Sequence, residues 1–183
     1  ARRMDQFIGE LIEYSRNGQT AVARVPVELD PLIRETWEDL RHTPGAAAIR
    51  FACQGPAGLR PLSDPVRLRI ILKNLLSNAI KYHDLRKSDA FIRVEVGENP
   101  PAGQFILRVQ DNGQGIGEAC REKVFDLFYR ASHQAEGSGL GLHIVRQAVE
   151  KLGGTISLQT REKEGTTFTV CLPGIPPRTP DTP

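Results

Sequence analysis

The stretch from Val109 to Gly117, V-Q-D-N-G-Q-G-I-G, constrains this chain most, because an apolar strand runs into one acidic residue and then into glycine at alternate positions. Gly113, Gly115 and Gly117 carry no Cβ, so the backbone there can take positive φ and come into contact with a bound molecule. Asp111 supplies a fixed hydrogen-bond acceptor at the end of the strand. The stretch predicts a ligand-binding turn, although a D-x-G-x-G sequence alone is equally typical of an ordinary capped β-turn.

Composition favours one well-buried α/β domain with an appendage, in a chain of 183 residues with 25% charged and 39% hydrophobic residues. The formal net charge is only +2 and the sequence has no dense run of Lys and Arg, so we expect no nucleic-acid partner. No apolar run approaches the roughly 20 residues that span a bilayer. Three widely spaced cysteines, Cys53, Cys120 and Cys171, are typical of reduced thiols in a cytoplasmic protein.

Four segments follow from the pattern of apolar and turn residues: an amphipathic helix over residues 1–18, a linker over 19–24, a globular domain over 25–172 and a proline-rich tail over 173–183. The first helix repeats apolar residues such as Met4, Ile8 and Leu11 at helical spacing. Its apolar stripe is wide enough either to pack on a partner helix outside the globular domain or to lie on its own domain.

Within the domain, Asp30-Pro31 and Ser63-Asp64-Pro65 each predict a helix start with a capping residue and proline in the first turn. Strands are expected at 25–27, 48–53 and 59–62, hairpins at 91–96 with 105–110 and at 155–160 with 166–172, and short or longer helices at 118–123 and 142–152.

The helix from Val66 to about Tyr82 carries a polar stripe opposite its apolar face. Asn74, Asn78 and Lys81 lie at i, i+4 and i+7. Asparagine is a mediocre helix former, so this spacing needs a reason, although a solvated helix face is the alternative. An amide oxygen can ligate a hard cation and a lysine one turn away can meet a phosphate.

A glycine-bearing segment follows three aromatic anchors, Phe125, Phe128 and Tyr129. Residues 132–137 look like a mobile lid that a ligand can order. Gly137, Gly139 and Gly141 then lead into an apolar helix, whose first N–H groups and dipole favour a phosphate. Together with the polar stripe and the acidic turn, this helix start predicts a binding site for a purine nucleoside triphosphate with Mg²⁺.

Common nucleotide motifs are absent, since the sequence has no G-x-x-x-x-G-K-[ST], no Rossmann pattern and no H-R-D or D-F-G. Instead, five segments resemble, in order and spacing, the N, G1, F, G2 and G3 boxes of bacterial sensor histidine kinases, which have the GHKL ATP-binding fold. The segments are N-L-L-S-N-A-I-K-Y, D-N-G-Q-G-I-G, V-F-D-L-F-Y-R, G-S-G-L-G-L-H-I-V and G-T-T-F. The resemblance implies a two-layer α/β sandwich, with helices on one face of a mixed, largely antiparallel sheet. Residues 4–16, ending in E-Y-S-R, resemble the second helix of that family's dimerisation and phosphoacceptor hairpin.

The resemblance also implies residue roles. Asn78 resembles the Mg²⁺ ligand, Asn74 and Lys81 the polar residues beside the triphosphate, and Arg130 the arginine that approaches the γ-phosphate. Tyr82 resembles the ring beside adenine, and Asp111 the carboxylate that accepts from adenine N6–H₂. The further nucleotide-binding positions that the motifs imply are Gly113, Gly115, Gly117, Phe125, Gly137, Ser138, Gly139, Leu140, Gly141 and Thr167.

The implied function is an ATP-dependent protein histidine kinase domain of a two-component system, cytoplasmic even where the parent protein is anchored in a membrane. Its implied partners are a histidine-bearing dimerisation helix, a response-regulator receiver domain and a second copy of the parent. The family's phosphoacceptor histidine is missing, because all four histidines lie inside the ATP-binding region, so this chain is expected not to label itself. Two alternatives remain. One is a GHKL ATPase, a class whose members resemble one another in having a Glu general base at the position that Asn74 occupies here, and the other is a non-catalytic nucleotide-binding module.

Overall fold

A computed structural model describes Gly9 and residues 20–99, 102–129 and 138–175. Four predicted features fall largely or wholly outside these residues: the first helix over 1–18, Arg130, the lid over 132–137 and most of the tail. The linker is described from residue 20 onward, and the expected domain is described apart from residues 100–101 and 130–137, which include Gly137 of the second glycine motif.

Three helices and seven strands form the described domain. The helices are α1 (Leu29–Leu40), α2 (Pro65–Lys81) and α3 (Gly141–Lys151). The strands are β1 (Val25–Pro26), β2 (Arg50–Gln54), β3 (Leu62–Ser63), β4 (Phe91–Asn99), β5 (Gln104–Asp111), β6 (Thr155–Arg161) and β7 (Gly165–Pro173). Short 3₁₀ turns stand at Ala46–Ala48 and Glu118–Cys120.

The five longer strands form one sheet in the order β2-β4-β5-β7-β6. β2 pairs with β4 in parallel and the other neighbours are antiparallel, as the two predicted hairpins require. β1 and β3 form a separate two-stranded antiparallel ribbon. The helices cover one face of the sheet, so the predicted two-layer α/β architecture is confirmed.

The core lies between the helices and that face. Alternate residues of β5, namely Phe105, Leu107 and Val109, are buried because successive side chains of a strand point to opposite faces. They join one apolar cluster with the buried side of α2, where Leu72 and Leu76 are fully buried. Because Asp111 continues the same alternation, its carboxylate is on the helix side of the sheet, at the end of the core.

Helix α2 begins as predicted. The Asp64 carboxylate accepts hydrogen bonds from the N–H groups of Val66 and Arg67 at 3.0 and 3.1 Å, and proline follows it directly. The predicted cap at Asp30 is wrong, because α1 begins at Leu29 after a residue that makes no side-chain cap bond. Asp30 lies inside the first turn instead, where it pairs with Arg34 at 2.8 Å.

Other boundaries shift for local reasons. The strand expected at 48–53 begins at Arg50, because Ala46–Ala48 form a 3₁₀ turn, and the one expected at 59–62 is confined to Leu62–Ser63. The helix expected at 118–123 is a single 3₁₀ turn over Glu118–Cys120.

The domain also extends past residue 172. The amides of Gly174 and Ile175 both donate to the carbonyl of Gly103, and Ile175 is buried. The predicted tail therefore begins later than residue 173. Among the described helices, none combines the length and the apolar character that crossing a membrane requires.

Candidate functional site

The polar stripe of α2 is half-buried at the edge of the helix. Asn74 Nδ2 donates to the carbonyl of Ile70 at 2.9 Å, which fixes its amide and directs Oδ1 away from that bond. The Asn78 side chain makes no hydrogen bond within the described part of the chain, so its amide oxygen is available to a ligand. Lys81 Nζ lies 4.8 Å from the centroid of the Tyr82 ring, in a cation–π contact.

The acidic turn is pressed against the end of α2. The amide of Gln114 donates to the carbonyl of Tyr82 at 2.9 Å, which ties the turn to the helix C-terminus. A Cβ at Gly113 would lie 2.5 Å from that same carbonyl oxygen, so only glycine permits the approach. Sequence-distant residues of the helix and the turn are thereby placed side by side.

The Asp111 carboxylate is held by backbone donors. Its Oδ1 accepts from the N–H of Gly113 at 2.8 Å, and the N–H of Thr166 on the neighbouring strand also donates to it. Burial raises the pKa of Asp111 to about 6, against the lowering effect of these two hydrogen bonds. The group is therefore an anion at neutral pH that a further donor would stabilise.

The turn between β6 and β7 supports the acidic turn from behind. Thr160 Oγ1 accepts from the N–H of Ile116 at 2.9 Å and donates to the carbonyl of Gly165 at 3.0 Å. Gly115, at φ +68°, lies so close to the Arg161 carbonyl that any side chain would collide with it. Backbone packing thus requires glycine at positions 113 and 115, whereas a Cβ at Gly117 would meet only Glu162 Oε2, at 3.9 Å.

Two polar side chains brace the acidic turn from the other side. Asn112 Oδ1 accepts from the N–H of Phe91 at 2.8 Å, and its Nδ2 donates to the carbonyl of Asp89 at 3.1 Å. Lys87 Nζ donates to the carbonyls of Asn112 and Lys163 at 2.6 and 3.0 Å. These bonds fix the backbone from which Asp111 projects.

The start of α3 meets the polar stripe of α2. Ser138 Oγ accepts from the N–H of Leu140 at 3.0 Å, and Gly139 turns the chain at φ +77°. A Cβ at Gly141 would lie 2.9 Å from Asn74 Oδ1, so glycine lets the first turn of α3 approach that amide. Leu140 is buried, so its contribution to a ligand is limited to its backbone.

The aromatic segment from Phe125 to Tyr129 anchors this corner. Phe125 packs edge-on against Phe168, with ring centroids 6.2 Å apart, and its carbonyl lies 3.1 Å from His143 Nδ1 on α3. Phe128 has a positive φ of 60° and is exposed. The segment therefore links β7 to the first turn of α3.

Most predicted site residues converge on one corner, between the C-terminal half of α2, the end of β5 and the start of α3. The members that the structure brings there are Asn74, Asn78, Lys81, Tyr82, Asp111, Gly113, Ser138, Gly139, Leu140 and Gly141, with Gly115, Gly117 and Phe125 at its margins. Arg130 and Gly137 lie outside the described residues.

Thr167 does not belong to this group. It pairs with Gln110 across the strands, whereas Thr166 pairs with Asp111, and successive residues of a strand face opposite ways. Thr166 is therefore the threonine on the helix side, where its hydroxyl lies 3.1 Å from Thr160 Oγ1. The sequence G-T-T-F already indicated this, because Thr166 and the apolar Phe168 are two residues apart in a strand and therefore share a face.

The chain is similar to known proteins over this whole region. The model of a family described as histidine kinase-, DNA gyrase B-, and HSP90-like ATPase matches residues 63–175. The sensor-like histidine kinase SenX3 of Mycobacterium tuberculosis is 33% identical over 183 residues, which cover 96% of this chain and 43% of SenX3. The chain thus spans less than half the length of that relative.

Two solved structures share the fold. The mycobacterial sensor histidine kinase MprB matches with a TM-score of 0.70 and 29% identity, covering 84% of this chain and 99% of that one. Full-length ShkA in complex with AMPPNP matches with a TM-score of 0.77 over 92% of this chain and 35% of ShkA. Its identity of 24% supports the fold alone. Together with SenX3, MprB confirms the resemblance predicted from the five motifs.

Proposed function

Because the chain belongs to the family of histidine kinase-, DNA gyrase B- and HSP90-like ATPases, we propose that it is the ATP-binding catalytic domain of a two-component sensor kinase. In this proposal it binds Mg-ATP and passes the γ-phosphoryl group to a histidine on a partner helix. The observation that carries the proposal is the corner where Asp111, the amide stripe of α2 and the glycine-rich start of α3 meet.

Adenine recognition is assigned to Asp111. An exocyclic amino group donates, and the carboxylate accepts, so the pair would supply the further donor that the half-buried anion lacks. Tyr82 is 38% exposed at the end of α2 and offers a ring face beside the turn. Guanine carries a carbonyl at the corresponding position, which would face the carboxylate with a second acceptor, so the site should prefer ATP over GTP.

The triphosphate and Mg²⁺ are assigned to the other side of the corner. The Asn78 amide oxygen suits a hard cation that prefers oxygen ligands, and its lack of a partner among the described residues fits that role. Lys81 and the first N–H groups of α3 would meet phosphate oxygens. Bound Mg²⁺ would neutralise charge on the phosphates, while the side chains orient them.

In the proposed reaction the bond between the γ-phosphorus and the β,γ-bridging oxygen breaks as a bond forms to an imidazole nitrogen. ADP leaves with the oxygen, and the imidazole proton passes to a base beside the histidine on the partner helix. Phosphoryl transfer asks mainly for positioning and charge neutralisation, which Lys81 and, by its motif, Arg130 would supply. The proposed partners are that helix, a response-regulator receiver domain and a second copy of the parent protein.

An ATPase of the same family is the second candidate, and Asn74 argues against it. An amide cannot take a proton from water, and here Nδ2 is already committed to the carbonyl of Ile70. Its Oδ1 faces the start of α3. We therefore expect slow hydrolysis, and Asn74 is assigned to positioning of the triphosphate.

The test combines nucleotide titration, with and without Mg²⁺, and phosphotransfer to a separately supplied hairpin that carries a histidine. ATP should bind more tightly than GTP, and acid-labile phosphate should appear on the hairpin only with Mg²⁺. Fast release of inorganic phosphate without transfer would favour the ATPase instead. Failure to bind ATP would refute both.

The chain alone is the control in that test. His83 Nδ1 bonds the carbonyl of Ile80 at 2.5 Å and its Nε2 is buried, while His143 Nδ1 lies against the carbonyl of Phe125. His83 therefore has neither ring nitrogen placed for in-line attack on a γ-phosphate, and Nδ1 of His143 is likewise engaged. Acid-labile labelling of either histidine in the chain alone would contradict the proposal.

A further inference from the structure

Residues 20–24, which precede the domain, are fastened to it by a buried ion pair. Arg67 and Asp64 lie at the start of α2 and are each 3% exposed. Their ion pair joins Arg67 Nη1 to Asp64 Oδ2 at 2.5 Å. Burial alone would raise the pKa of Asp64, but hydrogen bonds from Ala23 and Arg67 hold it below its ordinary value. The pair is therefore ionised at neutral pH.

The two Nη groups of Arg67 and Oδ2 of Asp64 also bond the linker. Arg67 Nη2 donates to the carbonyl and the hydroxyl of Thr20 at 2.6 and 3.0 Å, and Nη1 donates to the carbonyl of Ala21 at 3.3 Å. The N–H of Ala23 donates to Asp64 Oδ2 at 3.1 Å. With Asp64 Oδ2, the planar guanidinium therefore donates to four acceptors at once, one more than the three N–H groups of an ammonium can serve.

A second contact fixes the linker at another helix. Arg24 Nη2 donates to the carbonyl of Leu152, directly after the end of α3, at 3.2 Å. The linker therefore bridges the start of α2 and the end of α3. The opposite ends of these same two helices, at Lys81 and Gly141, form the proposed nucleotide site.

We propose that Arg67 is a positioning residue, which clamps residues 20–24 across the far ends of α2 and α3 and so fixes the direction from which a preceding phosphoacceptor helix meets the nucleotide. This inference rests on the proposed kinase function. Its physical basis is that phosphoryl transfer needs the histidine in line with the γ-phosphate, and a tether attached at one fixed point limits the orientations of that helix. Release of the clamp would leave the nucleotide site itself unchanged.

The experiment compares transfer in cis and in trans. For the cis reaction the full chain is extended at its N-terminus by a histidine-bearing helix and a turn, which complete a hairpin with the predicted helix over residues 1–18. For the trans reaction the 183-residue chain receives a histidine-bearing hairpin as a separate molecule. Arg67→Lys keeps the charge but loses the fork to the linker. Ala23→Pro removes the amide that donates to Asp64 while leaving the buried pair intact. Arg69→Lys is the matched control, because Arg69 lies on the same helix and pairs with Glu35 at the surface at 2.8 Å.

The two clamp variants should bind ATP within about twofold of the unsubstituted chain and keep their trans rate, yet lose about tenfold or more of the cis rate, as a small misplacement of reacting groups does. Hydrogen exchange at residues 21, 22 and 24, which keep their amides in both variants, should accelerate, and Arg69→Lys should change none of these measures. If Arg67→Lys fails to fold, Ala23→Pro decides, since its buried pair remains.

Three results would overturn the inference. Parallel loss of the cis and trans rates would show a role in domain stability alone. An unchanged cis rate, despite faster exchange in the linker, would show that the clamp does not orient the helix. Absence of transfer by the unsubstituted extended chain would instead refute the proposed function, and with it the positioning role. This outcome is distinguishable from the other two because it is seen without any substitution.

Discussion

Replacing Asp111 by asparagine tests adenine recognition most directly. The carboxylate now accepts from two backbone N–H groups, of Gly113 and Thr166, and in our proposal also from adenine. An amide has one acceptor oxygen, and its NH₂ group must face a donor on the other side. A buried donor left without a partner costs about 1–3 kcal/mol, so ATP affinity should fall by roughly 5- to 150-fold.

Protonation of Asp111 gives the same prediction a pH signature. Since the pKa is about 6 in the free protein and ligand donation favours the carboxylate, affinity should level off above pH 6. It should weaken by up to about tenfold for each pH unit below that. Asp111→Asn should show no such dependence. Calorimetric titration of ATP between pH 5 and pH 8 measures both.

Stability should move differently from affinity. A folded pKa of about 6, against an ordinary 3.8, means that ionised Asp111 costs roughly 3 kcal/mol at neutral pH. Its contribution is most favourable below pH 3.8 and is lost as pH rises to about 6. The asparagine variant removes this cost but forfeits a backbone bond, so its stability at pH 7 should change by no more than about 1–2 kcal/mol. Its unfolding free energy should lack this pH slope.

Asp89→Asn is the matched control, because Asp89 is an exposed carboxylate on the loop before β4. It should leave affinity and its pH profile unchanged. Undiminished ATP affinity in Asp111→Asn, or a flat affinity profile in the unsubstituted chain, would refute the assignment of Asp111 to adenine.

Three further substitutions probe the rest of the corner and its support. Asn78→Asp should slow phosphotransfer to the supplied hairpin more than it weakens nucleotide binding, because a second negative charge alters metal geometry beside the phosphates; an unchanged transfer rate would exclude Asn78 as the ligand. Gly141→Ala should reduce ATP affinity measurably, because the new Cβ would lie 2.9 Å from Asn74 Oδ1 and displace that amide. Equal affinity would show that the first turn of α3 can shift freely. Asp64→Ala should lower the free energy of unfolding by about 3–5 kcal/mol in chemical denaturation, because it leaves the buried Arg67 without its carboxylate and removes a helix cap. A loss below about 1 kcal/mol would contradict that account.

The sequence was sufficient for the fold where local chemistry and long-range packing agree. The hairpins follow from alternating strands around turn residues, and α2 follows from Asp64-Pro65 and its apolar face. Asp30-Pro31 carried the same local signal as Asp64-Pro65, but the helix starts earlier. Only the folded chain shows that Asp30 bonds Arg34 and Cys53 instead of capping.

The candidate site was predictable as a set of motifs but not as an arrangement. The acidic turn, the amide stripe and the glycine-rich helix start were each visible, because residue type alone limits their chemistry. What holds them together was not visible. The bonds of Thr160, Asn112 and Lys87 run to backbone atoms, which no side-chain pattern announces. The linker clamp escaped for the same reason, since Arg67 binds carbonyls more than 40 residues away.

The two adjacent threonines of β7 offer a matched pair that separates the motif from its geometry. Thr166 is buried beside Asp111, and its hydroxyl contacts Thr160, which in turn holds Ile116 in the acidic turn. Thr167 pairs with Gln110 on the opposite face of the sheet. Both residues have the same size and β-branched shape, so valine at either position preserves strand propensity and volume while it removes one hydroxyl.

Thr166→Val should therefore lose about 1 kcal/mol from the network that holds the acidic turn, which corresponds to roughly fivefold in ATP affinity. Thr167→Val should bind ATP as the unsubstituted chain does. Fluorescence or calorimetric titration of the two variants decides between the positions. If Thr167→Val weakened binding and Thr166→Val did not, the nucleotide would have to contact the open face of the sheet, and the corner formed by Asp111, α2 and α3 would not be its site.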